Sequence, residues 1–196
     1  MSSQKSTLLP VLRFAHQLVK ERLLLGDVAI DATLGNGHDT LMLAQQVGEQ
    51  GIVLAFDVQQ QAFEKSRILL EKHQALLPVH FIHASHANLQ AQWQQQSLKN
   101  PKIIMFNLGY LPGADKQYTT QVRSSLQALE QSLQILLPHG LLLVTVYPGH
   151  PEGALEDVAI SQWASELSQK DYQVLRYGFI NQVNKPPYLL IIEKLP

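Results

Sequence analysis

Apolar positions along this chain follow two alternating rhythms. Leu8, Leu9, Leu12, Ala15, Leu18 and Val19 return at intervals of three and four, the spacing of one helix face. Short apolar runs then alternate with further stretches of helical spacing. "DVAIDAT" reads as a buried strand ending at Asp31, "DTLMLAQQVG" as a helix closed by Gly48, and "GIVLAFD" as a second strand ending at Asp57. A helix from Gln59 to Leu76 leads to the strand "PVHFIHA", and a glutamine-rich, solvated helix covers Asn88 to Ser97. "KIIMFNL" is the fourth strand. Leu126, Leu129, Leu133 and Leu136 stripe a long helix that stops at Pro138; "GLLLVTVY" is the fifth strand, and Gly153 to Lys170 the next helix. "YQVLRYGFI" and "YLLIIEK" close the chain as two strands joined by "NQVNKPP".

Strands alternating with helices predict an α/β fold, a mostly parallel sheet with helices on both faces. The last two strands have no helix between them and are expected to pair as an antiparallel hairpin. No internal repeat or linker interrupts the pattern, so residues 1–196 are expected to form a single domain.

Composition narrows the chemistry. Apolar residues make up 45% and charged residues 16%, the balance of a folded chain rather than a disordered one. With no cysteine, disulfides, thiolate catalysis and zinc–thiolate sites are excluded. No apolar run approaches membrane-spanning length, and "MSSQKSTLLP" lacks a signal-peptide core, so no membrane partner and a cytoplasmic location are expected. A net charge of −1 gives no global nucleic-acid signature and favours a small-molecule protein on charge alone. Local basic groups remain: Lys5, Arg13, Lys20 and Arg22 early in the chain, Lys116 and Arg123 later.

The strand ends carry the candidate chemistry. In "DATLGNGHDT", Gly35 and Gly37 let the backbone turn tightly where free helix N–H groups collect. A dinucleotide loop would place a third glycine where Thr40 stands. Asp31 and Asp39 flank the turn, poor neighbours for a pyrophosphate and good ones for an ammonium or sulfonium. The cofactor expected is therefore S-adenosylmethionine rather than NAD. Asp57 is placed to accept hydrogen bonds from ribose hydroxyls.

Histidines invite a metal reading in "HFIHASH", but residues three apart on a strand face opposite ways, so no metal site is expected. Ser85 and His86 fall past the third strand, where they border an adenine or Ser85 simply caps a helix. His38 is a cofactor-pocket or a solvated turn residue; His150, in "YPGHPEG", lies on the functional edge or only precedes a helix. His16, His73 and His139 read as surface or packing residues. The fourth strand ends in "NLGY", Asn107 to Tyr110. Asn107 either satisfies its own turn or orients an amine substrate. Tyr110 stacks on a base or packs under its loop. The later "NKPPY" reads as the rigid connection of the terminal hairpin, bordering the site at most.

"NLGY" resembles the N-P-P-Y type loop of amino-group methyltransferases, in which the amide oxygen and a following carbonyl accept hydrogen bonds from the target amine. More specifically, "DATLGNGHDTLMLA", "FNLGYLPGADK", "YPGHPEG" and "NQVNKPPYLLIIEK", in this order, resemble the class I S-adenosylmethionine-dependent methyltransferase family labelled "putative rRNA methylase". Its characterised members methylate the amine of 5-aminomethyl-2-thiouridine at the tRNA wobble position. The resemblance implies a seven-stranded Rossmann-like sheet, S-adenosylmethionine as methyl donor, a tRNA anticodon stem–loop as substrate, and a homodimer that would join two modest basic patches. By position it implies that Asp31, Gly35, Asn36, Gly37 and His38 line the methionine part of the cofactor. Asp57 and Gln59 would hold the ribose and adenine side, with Ser85 and His86 nearby. Asn107, Gly109 and Tyr110 would face the transferred methyl, Lys116 would contact substrate, and His150 or Tyr147 would take the departing proton unless solvent does. Two other functions stay open: methylation of rRNA or another amine, and a catalytically idle nucleotide-binding domain that associates with RNA.

Overall fold

The structure is a computed structural model that describes residues 7–109 and 120–196. Its elements in chain order are α1 (Val11–Arg22), β1 (Val28–Asp31), α2 (His38–Val47), β2 (Ile52–Asp57), α3 (Gln60–Lys72), β3 (Val79–His83), α4 (Leu89–Gln95), β4 (Ile103–Leu108), α5 (Val122–Ile135), β5 (Leu141–Val146), α6 (Pro151–Ser165), β6 (Tyr172–Tyr177) and β7 (Tyr188–Lys194). A single 3₁₀ turn, His86–Asn88, precedes α4.

The strands form one seven-stranded sheet in the order β3-β2-β1-β4-β5-β7-β6. Neighbours are parallel from β3 through β5, and β7 runs antiparallel to both β5 and β6. The expected α/β class, mostly parallel sheet and terminal antiparallel hairpin are all present. β1 is buried along its whole length, as a strand covered on both faces must be. Alternate residues feed two cores. Ala29, Val53 and Met105 pack with Ala15 and Val19 of α1 and Leu43 and Val47 of α2. Ile30, Leu54 and Phe106 pack with Leu129 and Leu133 of α5 and Ile160 of α6. Each fully buried Leu, Ile or Phe stabilises the fold by about 1.5–3 kcal/mol relative to exposure.

Several boundaries differ from expectation. α6 begins at Pro151 rather than Gly153, because proline suits the first helical turn and His150 caps it: the Gly153 N–H donates to His150 Nδ1 at 3.0 Å. It ends at Ser165, and β6 stops at Tyr177, short of Ile180. A side chain at Gly178 would collide with Tyr188 Cβ at 2.9 Å, so the hairpin closes tightly there. Among the described residues, no helix is long and apolar enough to cross a membrane. Strand order reverses beside β1, between β2 and β4, and that opens a crevice at the carboxyl ends of the strands.

Candidate functional site

A cavity of about 870 Å³ occupies that crevice. Its wall is built by the segments that leave β1, β2, β3, β4 and β5 and by the turn between β6 and β7.

The β1–α2 loop shows why its glycines stand where they do. Gly37 adopts φ +81°, and a Cβ there would lie 2.6 Å from Ser66 Oγ on α3. Left-handed backbone and close packing both demand glycine. Gly35 N–H donates to Asp57 Oδ2 at 3.0 Å, and Gln59 N–H donates to Asp57 Oδ1 at 2.9 Å. The strand-end acid is thereby locked in place, with lone pairs to spare for hydroxyl donors. Two of the loop assignments need correction. Asp31 and Gly37 do not line the cavity; Asp31 is fully buried beneath the loop, where Thr40 Oγ1 donates to Oδ2 at 2.6 Å and Thr33 N–H to Oδ1 at 3.1 Å. Burial first, and then the neighbouring Asp39 carboxylate, push the Asp31 acid up to about 7.

Asp39 is the carboxylate that does line the cavity beside the β4 end. It sits 2.5 Å from His16 Nε2 and accepts from Asn107 Nδ2 at 2.6 Å. His16 is therefore no plain surface residue: α1 carries it into the support of the site. A carboxylate only accepts, so Asp39 fixes which way the Asn107 amide faces. The Asn107 Oδ1 that results is buried and has no hydrogen-bond partner among the described residues. Backbone adds a second restraint, since Asn107 N–H donates to Thr33 Oγ1 at 2.7 Å. An acceptor held rigid and left open at a cavity wall is what an N–H or ammonium ligand requires.

His86 Nε2 is likewise buried without a partner among the described residues. Burial lowers its basicity, outweighing its hydrogen bond with the Ala32 backbone and the pull of Asp57, so the ring is neutral near pH 7. The ring meets Phe106 edge-on at 5.8 Å. Ser85 both lines the cavity and caps the 3₁₀ turn, accepting from Ala87 N–H at 3.2 Å, so its two readings coexist.

On the β5 side, Tyr147 and His150 flank Gly109 at 3.7 and 3.9 Å from a Cβ built there. Burial and Asp39 push the Tyr147 hydroxyl up, so it keeps its proton. His150 uses Nδ1 as the helix cap acceptor, with Glu152 Oε2 a longer 3.4 Å away. Nε2 is the ring atom that faces Gly109.

Gly35, Asn36, His38, Asp57, Gln59, Ser85, His86, Asn107, Gly109 and His150 thus share one cavity. Tyr110 and Lys116 lie outside the described residues. The sequence reading missed the support from His16 and Thr33 and Asp39 as a lining group, while Asn184 to Pro187, read as a rigid hairpin connection bordering the site, do line the cavity. No cluster of three or more His, Asp or Glu side chains fit for a metal occurs among the described residues.

Residues 53–193 match the family described as "Putative rRNA methylase". The chain belongs to this family. A structure from Clostridium thermocellum described in the same terms superposes with TM-score 0.92 at 35% identity, covering 97% of this chain and all of that one. A "putative methyltransferase" from Streptococcus mutans, solved in complex with SAH, superposes with TM-score 0.86 at 34% identity over 96% of this chain and all of its own. The Arabidopsis thaliana protein named tRNA (mnm(5)s(2)U34)-methyltransferase, chloroplastic, is 30% identical over 188 residues, 92% of this chain and 68% of its own length. Within the methylase family this chain keeps the class I sheet, with the crevice at its switch point.

Proposed function

We propose that this methyltransferase transfers a methyl group from S-adenosylmethionine to the amine of 5-aminomethyl-2-thiouridine at the tRNA wobble position, giving 5-methylaminomethyl-2-thiouridine. Family and fold make the chain an S-adenosylmethionine-dependent methyltransferase. The cavity suits that cofactor. Asp57 at the end of β2 is placed for ribose hydroxyls, the Gly35–His38 loop for the methionine part, and the open His86 Nε2 for a donor on the purine side. When bound, the cofactor supplies an electrophilic methyl on a sulfonium.

The observation that carries the amine reading is the open, buried Asn107 Oδ1, its orientation set by Asp39. Oδ1 accepts one N–H of the amine and turns its lone pair toward the methyl, without itself acting as nucleophile or strong base. An amine of the lysine type has a pKa near ~10.4 and enters as ammonium. Asp39 attracts that cation and is the first acceptor for the proton it sheds, with solvent at the open mouth as the second. Tyr147 and His150, both packed against Gly109, border the acceptor and keep it in register. The Arabidopsis relative supports tRNA as the acceptor, and the family's description keeps rRNA as the competing acceptor.

The test is transfer from labelled S-adenosylmethionine to tRNA from cells lacking this gene, read by nucleoside mass spectrometry. The expected outcome is a 5-methylaminomethyl-2-thiouridine peak that Asn107→Ala removes while cofactor binding persists. Label in rRNA alone would keep the methyltransferase and overturn the wobble-uridine substrate.

A further inference from the structure

The turn between β6 and β7 carries a conformational cost that its role as a connector does not explain. Asn184 and Lys185 both adopt left-handed backbone, φ 64° and 46°. Turns with two such residues favour Asn-Gly, and lysine in the glycine position is strained by of the order of 1 kcal/mol. Strained residues of this kind concentrate where function requires them. Pro186 and Pro187 follow at once and stiffen the exit from the turn. On its inner side the turn meets the β5 loop: a Cβ on Gly149 would lie 3.4 Å from the Asn184 carbonyl oxygen and 3.6 Å from that of Lys185.

Lys185 is the only lysine or arginine among the described residues that lines the cavity. It also borders a second, more open hollow of about 390 Å³, walled by residues 148–151 and Ala154. No described carboxylate pairs with its ammonium. The two carboxylates that line the cavity among the described residues are Asp39, in the first turn of α2, and Asp57, at the end of β2. The cavity wall therefore combines acidic groups near the β1 and β2 ends with a cation on the β6–β7 turn. S-adenosylmethionine has no phosphate, and its one carboxylate lies at the methionine end, which the proposed function gives to the Gly35–His38 loop, leaving Lys185 for another anion. A nucleotide matches both ends, with its base amine toward Asp39 and Asn107 and its phosphate toward the turn.

We propose that Lys185 is a phosphate anchor for the RNA strand, holding the backbone of the target nucleotide at the cavity mouth while the adjoining nucleotide occupies the outer hollow. The hollow falls within the size range of small-ligand sites, roughly 300–1,000 Å³. The left-handed pair and the two prolines fix where the backbone presents Lys185, so little backbone flexibility is lost on binding. This inference rests on the reading of the substrate as an RNA and adds which group receives its backbone.

The experiment compares wild type with Lys185→Ala, Lys185→Glu, Lys185→Arg and Lys185→Gly. It measures binding of bulk tRNA and of a short RNA hairpin across a salt series, and S-adenosylmethionine binding by calorimetry. With Lys185→Ala the salt slope is expected to shrink by about 0.7 to 1, the share of one phosphate contact. Lys185→Glu is expected to weaken RNA binding about tenfold or more, and Lys185→Arg to stay near wild type. Lys185→Gly relieves the turn, so it is expected to bind RNA as weakly as Lys185→Ala while unfolding no earlier than wild type. S-adenosylmethionine affinity is expected to be unchanged throughout. Wild-type RNA affinity and salt slope in Lys185→Glu overturn the anchor alone, provided the wild-type enzyme methylates RNA. Loss of S-adenosylmethionine binding in all four variants makes the turn a wall of the cofactor site and overturns it too. A wild-type enzyme that binds and methylates no RNA removes both the anchor and the RNA reading.

Discussion

Asp39 holds two partners at once, His16 Nε2 at 2.5 Å and Asn107 Nδ2 at 2.6 Å. Both are hydrogen bonds to a carboxylate, the stronger kind. Replacing Asp39 by alanine frees the amide to turn, and Nδ2 then faces the amine in part of the population. The expected result is a kcat lower by about 10- to 100-fold, the scale of a misplaced catalytic group. Stability is expected to hold or rise, because Asp39 also repels the buried Asp31 carboxylate. Steady-state kinetics with urea unfolding checks this, and a wild-type kcat would sink it. Asn107 and Asp57 were legible because each ends an apolar run, where a strand hands its next side chain to the crevice. His16 was not. Its partner lies 23 residues away on another helix, and only the packing of α1 on α2 brings them together.

Among the elements, α5 and α6 are joined by a buried acid. Glu156 is 1% exposed and accepts from Thr120 Oγ1 at 2.7 Å and Ser125 Oγ at 2.6 Å. Thr120 N–H also donates to the Gly109 carbonyl at 3.2 Å, so the acid ties the exit of β4 to α6. Glu156→Ala would leave two hydroxyls without their acceptor and open a cavity, at a cost of about 2–4 kcal/mol. Glu156→Gln keeps one acceptor oxygen and is expected to cost about half as much. Denaturant midpoints of the two variants decide it; equal midpoints for alanine and wild type would show that the hydroxyls find other partners. Nothing in the sequence marked Glu156, since an isolated acid in a helix reads as a solvated face. The helices and strands were legible by their periods. The start of α6 was not, because it depends on His150 and Pro151 acting as cap and first residue rather than on apolar spacing.

For the whole molecule, alternation of strands and helices foretold a parallel sheet, but not that β7 inserts between β5 and β6. That order follows from tertiary pairing, six residues of β7 against β5 in antiparallel register, which no local pattern encodes. It also brings the β6–β7 turn, far along the chain, to the cavity made by the first strands. Charge follows the same architecture. The chain is nearly neutral overall, yet Asp31, Asp39 and Asp57 converge at the ends of β1 and β2, and both neighbours contribute to raising Asp31. With its acid near 7 when folded and 3.8 as the reference value, Asp31 holds its proton in the native state over that interval. The stability this group contributes is therefore present at low pH and is lost as pH rises toward 7. A bound cation reverses the local balance by favouring the ionised carboxylate, so binding expels the proton and tightens as pH passes through about 7. S-adenosylmethionine carries that cation at sulfur, and S-adenosylhomocysteine, otherwise alike, does not. The ratio of their affinities is thus expected to shift toward S-adenosylmethionine by about three- to tenfold between about pH 5.5 and 8.5, with groups common to both ligands cancelling. Asp31→Asn removes the titrating carboxyl, leaves the cavity histidines in place and should flatten the ratio. Calorimetric titration of both ligands across that range, in wild type and Asp31→Asn, measures it. A ratio independent of pH in the wild type would mean that the sulfonium does not feel the buried acid.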